Sequence, residues 1–240
     1  MKRTLPFCRK RVFGIMLILL IFPGLMKAQD STRLFDKGNR HTLYAATLSS
    51  TVLFTGAFLA DKPIRTWAKL NHTETGDAVN RYSNYLGDKR VVLSLNAALL
   101  GTGYLIDDPD LKKTSWNAVR SILSTALITE GLKHTFGRSR PYTERGPRYF
   151  DPFPENRHAF KSLPSGHVSL SFAFFTPFAE KYSRWLYVLP VSTGIARVYK
   201  DKHWTSDVVL GAALGFFTGY FFQHKHKHLE VSFNRIVVRF

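Results

Sequence analysis

Apolar runs of residues alternate with short polar interruptions along most of this chain. Each run is long enough for about three to five turns of helix, and Asp, Pro, Gly or a basic residue stands at most of the breaks. The runs predict six helices, at residues 42–60, 91–106, 116–132, 168–179, 186–198 and 208–222. We therefore predict an all-α fold, a bundle of about six helices.

The sections between the apolar runs differ in composition. In residues 64–90, apolar side chains recur at loosely helical intervals, which predicts one or two short amphipathic helices on a protein or membrane surface. Residues 133–163 contain four prolines and many arginines and aromatic residues, and a loop of this length in a compact domain is often functional. The last ten residues, 231–240, have a strand-like pattern.

The first 28 residues have the pattern of a secretory signal. Basic residues precede an apolar run of 11 residues, Val12 to Phe22, and the helix breakers Pro23 and Gly24 follow it. As a helix this run would span about 16 Å, against about 30 Å for the hydrocarbon core of a bilayer. We therefore predict cleavage after Ala28, with an uncleaved N-terminal anchor as the alternative, and a single domain over residues 29–240.

The net charge indicates which kind of partner the chain binds, and the cysteine content limits the kinds of cross-link and metal site it can have. The formal net charge of +17 indicates an anionic partner, and nucleic acid, anionic lipid and a phosphorylated substrate all qualify. The single cysteine, Cys8, lies in the predicted signal. Residues 29–240 can therefore hold neither a disulfide framework nor a cysteine-ligated metal.

Residues suited to phosphate chemistry are concentrated in three clusters near the ends of predicted helices. The first, residues 133–141, places three or four cations in eight positions, with Lys133 at its start and Arg140 near its end. Arg offers a planar fork of donors and Lys a point charge, and a phosphate group needs several such donors. A basic helix end that complements its own dipole is the plainer interpretation, but it does not account for the density of cations.

The second cluster is Pro164-Ser165-Gly166-His167, a turn that opens the predicted helix at 168–179. The free backbone N–H groups of a helix start, with the positive end of its dipole, form a site for an anion. Ser165 either caps this helix or contacts the anion, and His167 stands within reach as a proton donor. Alone, the four residues are an ordinary turn.

The third cluster, residues 197–207, contains Arg197, His203 and Asp207. If a helix begins near His203, then His203 and Asp207 lie on one face within contact range. A carboxylate held against one imidazole nitrogen fixes the tautomer and leaves the other nitrogen free to act as a nucleophile. A surface His–Asp pair without catalytic function fits the spacing equally well.

Together the three clusters resemble the type 2 phosphatidic acid phosphatase (PAP2) superfamily, which includes bacterial class A acid phosphatases and vanadium haloperoxidases. Its signature is Lys, six residues and Arg-Pro, then Pro-Ser-Gly-His, then Ser-Arg, five residues, His, three residues and Asp. The order and both internal spacings fit, and the resemblance covers roughly residues 90–222. Ala196 is the one departure, because it stands where the family usually has Ser.

The resemblance implies a role for each matching residue. Lys133, Arg140 and Arg197 would hold the phosphate, together with Ser165 and the N–H of Gly166. His203 would attack phosphorus to form a phosphohistidine, with Asp207 orienting it. His167 would protonate the leaving oxygen and then activate water. The resemblance implies neither a metal nor another cofactor.

The family has soluble periplasmic and six-helix membrane branches, and the six apolar runs match the membrane branch. We therefore expect a membrane-embedded bundle with its site at the helix ends, in the bacterial inner membrane and facing the periplasm. A cleaved signal followed by three crossings would instead place the catalytic loop in the cytoplasm. At least one of three predictions must therefore be wrong: the cleaved signal, the number of membrane crossings or the assignment to the membrane.

The function implied is metal-independent hydrolysis of a terminal phosphate from an envelope lipid, and the sequence names neither the lipid nor the oligomeric state. Lipid A, undecaprenyl pyrophosphate, phosphatidylglycerol phosphate and phosphatidic acid all carry such a phosphate. A secreted, soluble periplasmic acid phosphatase for small phosphomonoesters is the first alternative. The second is a non-catalytic module that binds anionic lipid or nucleic acid. We expect no nucleic-acid partner, because the sequence has no recognised nucleic-acid motif and its cations do not line one helix face.

Overall fold

The computed structural model describes residues 37–155, 158–224, 229–232 and 235–238. Residues Leu43–Lys225 form one compact unit. The described helices are α1 (Lys37–Leu70), α2 (Glu74–Tyr85), α3 (Lys89–Leu105), α4 (Pro109–Phe136), α5 (Gly166–Lys181), α6 (Val188–Tyr199) and α7 (Thr205–Gln223). Short 3-10 turns occupy Pro141–Thr143, His158–Phe160 and Arg184–Tyr187. The predicted signal, residues 1–28, lies outside the described residues.

The all-α prediction is confirmed. The six predicted helices are α1 and α3 to α7, and α2 is the amphipathic helix expected within residues 64–90. Near the end of the chain, β1 (Leu229–Ser232) pairs antiparallel with β2 (Arg235–Val238). This two-stranded hairpin overlaps the strand-like pattern of residues 231–240.

The largest difference from the prediction is the length of α1. We expected it to end at residue 60, before Asp61-Lys62-Pro63, but it continues through Pro63 to Leu70. A proline inside a helix removes one backbone hydrogen bond and strains the preceding turn. Asp61 and Arg65, four residues apart on one face, both bond to later loops, Asp61 to Arg138 and Arg65 to Asp201. These tertiary contacts hold the helix on both sides of the proline.

The start and end of α4 follow from local chemistry. Asp108 Oδ1 accepts hydrogen bonds from the N–H groups of Asp110 and Leu111, which caps the first turn. Gly137 ends the helix with φ of 55°, and a Cβ there would lie 1.6 Å from the carbonyl oxygen of Asp151. Only glycine fits that position. The last turn of α4, which contains Lys133, therefore leads directly into the following loop.

The long loop between α4 and α5 is a hydrogen-bonded unit. The N–H of Ser139 donates to the carbonyl of Tyr149 and that of Ser162 to the carbonyl of Arg138. The N–H of Arg140 donates to the carbonyl of Ala159. These bonds fold the loop back so that it enters α5 beside the end of α4.

Helices α5 and α7 pack backbone against backbone. Added Cβ atoms at Gly211 and Gly215 would lie 2.8 Å and 2.2 Å from the carbonyl oxygens of Ser165 and Ser169. At Gly219 the added atom would lie 2.6 Å from Thr176 Cβ. The four-residue glycine spacing therefore provides close helix packing, and it sets the distance between two helices that both begin at the candidate site.

The interior of the bundle is unusually polar and its outer faces are apolar. A small apolar core joins α3, α4 and α5. Elsewhere many buried side chains are polar: Thr114, Ser115, Asn117, Ser121, Thr125, Thr129, Ser169, Ser171, Thr176 and Thr193. Large apolar side chains are exposed on α1, α3, α4 and α6: Tyr44, Leu48, Val52, Leu53, Leu59, Leu93, Leu95, Leu105, Leu123, Leu127, Val188, Val191 and Ile195. α7 alone among the described helices combines the length and mean hydropathy of a membrane span.

Candidate active site

The three sequence clusters meet at one end of the bundle. Lys133 lies in the last turn of α4, and Ser165 is the N-cap of α5. A Cβ on Gly166 would lie 2.9 Å from Lys133 Nζ, so the first two clusters are in contact. The backbone N–H of Ser165 donates to the carbonyl of Asp207 at 3.0 Å, which joins the second cluster to the third.

His203 lies in the loop before α7 and is 3% exposed. Its Nδ1 is 2.9 Å from the carbonyl oxygen of Ser162 and 3.6 Å from Asp207 Oδ2. A carbonyl oxygen only accepts, so Nδ1 carries the proton and Nε2 keeps its lone pair. Nδ1 therefore donates to the Ser162 carbonyl, and the Asp207 carboxylate that was expected to orient the ring lies within ion-pair distance of the same nitrogen. Helix α7 begins at Thr205, two residues after the expected start.

The charge state of His203 follows from its surroundings. The pKa of His203 is lowered to about 3, mainly by burial and also by the cations of Arg140 and Arg197, while Asp207 acts in the opposite direction. The imidazole is therefore neutral at pH 7. A neutral imidazole with a protonated Nδ1 has a nucleophilic Nε2.

Asp207 connects the clusters through four hydrogen bonds. Its Oδ2 accepts from Ser162 Oγ at 2.5 Å and from the Trp204 N–H at 2.9 Å. Its Oδ1 accepts from Arg138 Nη1 at 2.5 Å, and its carbonyl accepts from Ser165. Asp207 therefore holds Ser162, whose carbonyl orients His203, and it also holds Ser165, the N-cap of α5.

Several buried donors at this end of the bundle have no hydrogen-bond partner. They are Arg140 Nε, Arg197 Nε and Ser165 Oγ. Ser165 therefore does not cap α5 through its side chain. Buried polar atoms are rarely left unpaired in folded proteins, and three unpaired donors beside a helix start suit an anion. Burial also lowers the pKa of Arg140, which an anionic ligand would reverse.

The remaining partner of Arg197 is on a neighbouring helix, and that of Lys133 is on its own helix, α4. Arg197 Nη1 donates to Asn84 Oδ1 of α2 at 2.6 Å, and Lys133 Nζ donates to Glu130 Oε1 at 2.8 Å. His167, in the first turn of α5, interacts electrostatically with Arg197, Lys133 and Arg140. Every predicted site residue thus lies at this end of the bundle.

Ala196 is fully buried beside Arg197 on α6. A serine at this position would need a hydrogen-bond partner for its hydroxyl. The departure from the family signature therefore removes a buried polar atom, while Arg197 keeps its place in the site.

Three residues that complete the site were missed in the sequence. Ser162 stands five residues before His167 and looks like an ordinary loop serine. Arg138 was counted among the cations, but it is fully buried and bonded to Asp207. Asn84, which binds Arg197, lies outside all three clusters. The density of cations in residues 133–141 was the one available signal, and it does not distinguish a buried support such as Arg138 from a phosphate ligand.

The donor set is that of an anion site. It consists of Lys, Arg, Ser and the backbone N–H groups of a helix start, which are the usual ligands of phosphate oxygens. Over the described ranges, no three His, Cys, Asp or Glu side chains are grouped as metal ligands would be. The fold and the site together define a helical protein with a histidine-containing candidate anion site at its helix ends.

Comparisons with known proteins agree with this class. The family model described as "PAP2 superfamily" matches residues 114–229, just under half of the chain. A lipid A 1-phosphatase of Rhizobium etli is 34% identical over 100 residues, which are 40% of this chain and 43% of that protein. A lipid A 1-phosphatase of Porphyromonas gingivalis is 34% identical over 110 residues, 43% of this chain and 21% of that protein. The chain thus spans less than half the length of these relatives.

Two solved structures share the fold. The transmembrane PAP2-type phosphatidylglycerolphosphate phosphatase of Bacillus subtilis superposes with a TM-score of 0.57 at 22% identity, covering 75% of this chain and 92% of that one. LpxE of Aquifex aeolicus gives a TM-score of 0.54 at 19% identity, covering 68% and 93%. At these identities the comparison establishes a common helical architecture.

Proposed function

We propose that this protein is a phosphatase that removes a terminal phosphate from a lipid of the bacterial envelope. The observation that carries the proposal is the set of buried, unpaired donors of Arg140, Arg197 and Ser165 around a neutral, buried His203. Such a set stabilises the charge of a phosphoryl group in transfer, and the histidine supplies a nucleophile. The match of the PAP2 family model to residues 114–229 supports the same chemistry.

The first step transfers the phosphoryl group to His203. The lone pair of His203 Nε2 forms a bond to phosphorus as the bond from phosphorus to the leaving oxygen breaks. His167, which carries a proton when the anionic phosphate lies against it, donates that proton to the leaving oxygen, and this oxygen becomes a hydroxyl group of the dephosphorylated lipid. The Ser162 carbonyl accepts from Nδ1–H throughout, so the positive charge that develops on the imidazole is stabilised.

The second step restores the enzyme. His167, now neutral, takes a proton from water as the water oxygen bonds to phosphorus. The bond from phosphorus to Nε2 breaks, its electron pair returns to His203, and inorganic phosphate leaves. Lys133, Arg140 and Arg197 hold the phosphoryl oxygens in both steps, with Ser165 and the Gly166 N–H. No metal takes part in either step.

The lipid nature of the substrate is supported by the surface of the bundle. The outward faces of α1, α3, α4 and α6 expose large apolar side chains, while hydroxyl and amide side chains are buried between the helices. This arrangement suits a bilayer, in which polar groups bond across helices and apolar groups meet lipid. We place the protein in the inner membrane with its site towards the periplasm. Lipid A is the first candidate substrate, because the curated relatives are named lipid A 1-phosphatases.

The test is phosphate release by the purified protein in detergent, with a metal chelator present. The substrates are lipid A, undecaprenyl pyrophosphate, phosphatidylglycerol phosphate, phosphatidic acid and p-nitrophenyl phosphate. His203→Gln is the matched variant, because the amide side chain retains hydrogen-bonding capacity but is not a nucleophile. We expect release from one lipid class, and at least a thousandfold loss in the variant.

Each other outcome has a defined meaning. Turnover of p-nitrophenyl phosphate alone would contradict the lipid assignment and favour a soluble acid phosphatase. Release that depends on added metal would contradict the mechanism. No release from any substrate by folded protein would overturn the enzymatic function and leave the non-catalytic binding module.

A further inference from the structure

Helix α1 contributes a buried carboxylate to the site from outside the matched residues 114–229. Asp61 is 1% exposed. Its Oδ2 accepts from Arg138 Nη2 at 2.6 Å and from Ser206 Oγ at 2.7 Å, and its Oδ1 accepts from the Ser206 N–H at 2.9 Å. Asp61 therefore holds both Arg138 and the first turn of α7.

We propose that Asp61 is a positioning residue of the site: through Arg138 and Ser206 it holds Asp207, and thereby Ser162 and His203, in the reactive arrangement. The inference that this arrangement is reactive rests on the proposed function. The connections are continuous hydrogen bonds, from Asp61 to Arg138, from Arg138 to Asp207, from Asp207 to Ser162 and from Ser162 to His203.

The orientation of Arg138 depends on Asp61 because its surroundings offer few other acceptors. The guanidinium is fully buried and lies within 6 Å of the rings of Phe58, Phe150 and Trp204. Its Nε donates to the carbonyl of Pro147 and its Nη1 to Asp207 and Ser206. Without the Asp61 carboxylate, Nη2 would lose this charged partner in an apolar setting, which is strongly unfavourable. We therefore expect the guanidinium to shift and its bonds to Asp207 to weaken.

The charges of the group also suit the reaction. Two buried carboxyl groups, Asp61 and Asp207, share one guanidinium. Both groups act only as hydrogen-bond acceptors, as ionised carboxylates do, and in that form the three side chains together carry one negative charge. Phosphoryl transfer places a positive charge on the His203 imidazole next to them. The carboxylate left unneutralised stabilises that charge, and loss of Asp61 would remove this stabilisation.

The experiment compares Asp61→Asn with Asn96→Ala. The asparagine keeps the size of the side chain and removes its charge. Asn96 is a matched control, since it is also buried and polar, donates to the Ser115 carbonyl and lies on α3, which carries no site residue. The quantities to measure are kcat and KM on the lipid that the wild type hydrolyses in the phosphate-release assay, the unfolding temperature, and the ¹⁵N chemical shifts of the His203 ring without substrate.

We expect Asp61→Asn to lower kcat at least tenfold, to change KM less than threefold and to shift the His203 ring nitrogens. Asn96→Ala should lower the unfolding temperature without either effect. Unchanged His203 shifts in Asp61→Asn would overturn the proposal, as would an equal loss of kcat in both variants. If the wild type hydrolyses nothing, the proposed function fails, whereas the ring-nitrogen shifts still decide the role of Asp61.

A second variant applies if Asp61→Asn does not fold. Ser206→Ala removes the hydroxyl that bonds both Asp61 and Arg138 but leaves the ion pair in place. We expect a loss of kcat of about threefold to tenfold and a smaller shift of the His203 ring nitrogens. No change in either quantity would overturn the proposal.

Discussion

Gly215→Ala is expected to destabilise the protein and to separate two parts of the site. A Cβ on Gly215 would lie 2.2 Å from the Ser169 carbonyl oxygen, 2.7 Å from Phe172 Cβ and 2.8 Å from the Ala173 nitrogen. All three atoms belong to or lie next to the α5 backbone, which cannot rotate away. The two helices must therefore move apart by about 1 Å for ordinary van der Waals contact.

The magnitude follows from two opposed effects. Overpacking of this kind costs about 1–3 kcal/mol, and a rigid backbone neighbour places the cost near the upper limit. Alanine in place of glycine inside a helix gains about 0.5–1 kcal/mol. We therefore expect the free energy of unfolding to fall by about 2 kcal/mol. Because α5 carries His167 and α7 carries Asp207 at their starts, kcat should fall as well, and a displacement near 1 Å is worth about 100-fold.

The assay is reversible unfolding in detergent with Gly101→Ala as the control. Gly101 lies on α3 with nothing within 4 Å of an added Cβ, so the same substitution there should stabilise by about 0.5–1 kcal/mol. We expect the free energy of unfolding to fall in Gly215→Ala and to rise in Gly101→Ala. Equal stability of Gly215→Ala and the wild type would refute the claim that glycine is required for this packing.

Three further predictions follow from the site. Arg197→Lys should raise KM about tenfold, because lysine cannot keep the bond to Asn84 and donate a planar fork to phosphate at once; a KM within twofold of the wild type would contradict this. Since burial lowers the pKa of His203 from 6.5 to about 3, protonation favours the unfolded chain. The free energy of unfolding should therefore fall as the pH falls from 6.5 to 3, and it should fall less steeply in His203→Gln than in the wild type. Equal slopes in the wild type and the variant would contradict the lowered pKa of His203. Gly137→Ala should lower the unfolding temperature by several degrees, because Gly137 has φ of 55° and a Cβ there would lie 1.6 Å from the Asp151 carbonyl oxygen. The loss should exceed that of Gly131→Ala, where nothing lies within 4 Å of the added Cβ.

Much of the site was available from the sequence. The three motifs, Lys133 to Arg140, Pro164 to His167 and Arg197 to Asp207, lie at the ends of successive helices as the sequence predicted, and the structure brings them together. This succeeded because each motif is local and lies at a helix boundary marked by Gly, Pro or charge. The roles of these residues in catalysis stay predictions.

The contacts that support the site were not available from the sequence. The Ser162 carbonyl accepts from His203 beside the expected His–Asp contact, and Arg138, to which the sequence assigned no separate role, is a buried support for Asp207. Both outcomes depend on side chains far apart in the chain, such as Asp61 and Asp207 on α1 and α7. No periodicity encodes such pairs.

The sequence by itself determined the six apolar helices, the amphipathic α2 and the three phosphate-type clusters, because periodicity, caps and motif spacing are properties of neighbouring residues. Tertiary structure alone decided that α1 continues through Pro63, that Asp61 and Arg138 share a buried ion pair, and that Ser162 orients His203. The physical reason is the same in each case. A buried charge or an interrupted helix is stable only when partners from distant segments satisfy it, and those partners are fixed by how the helices pack.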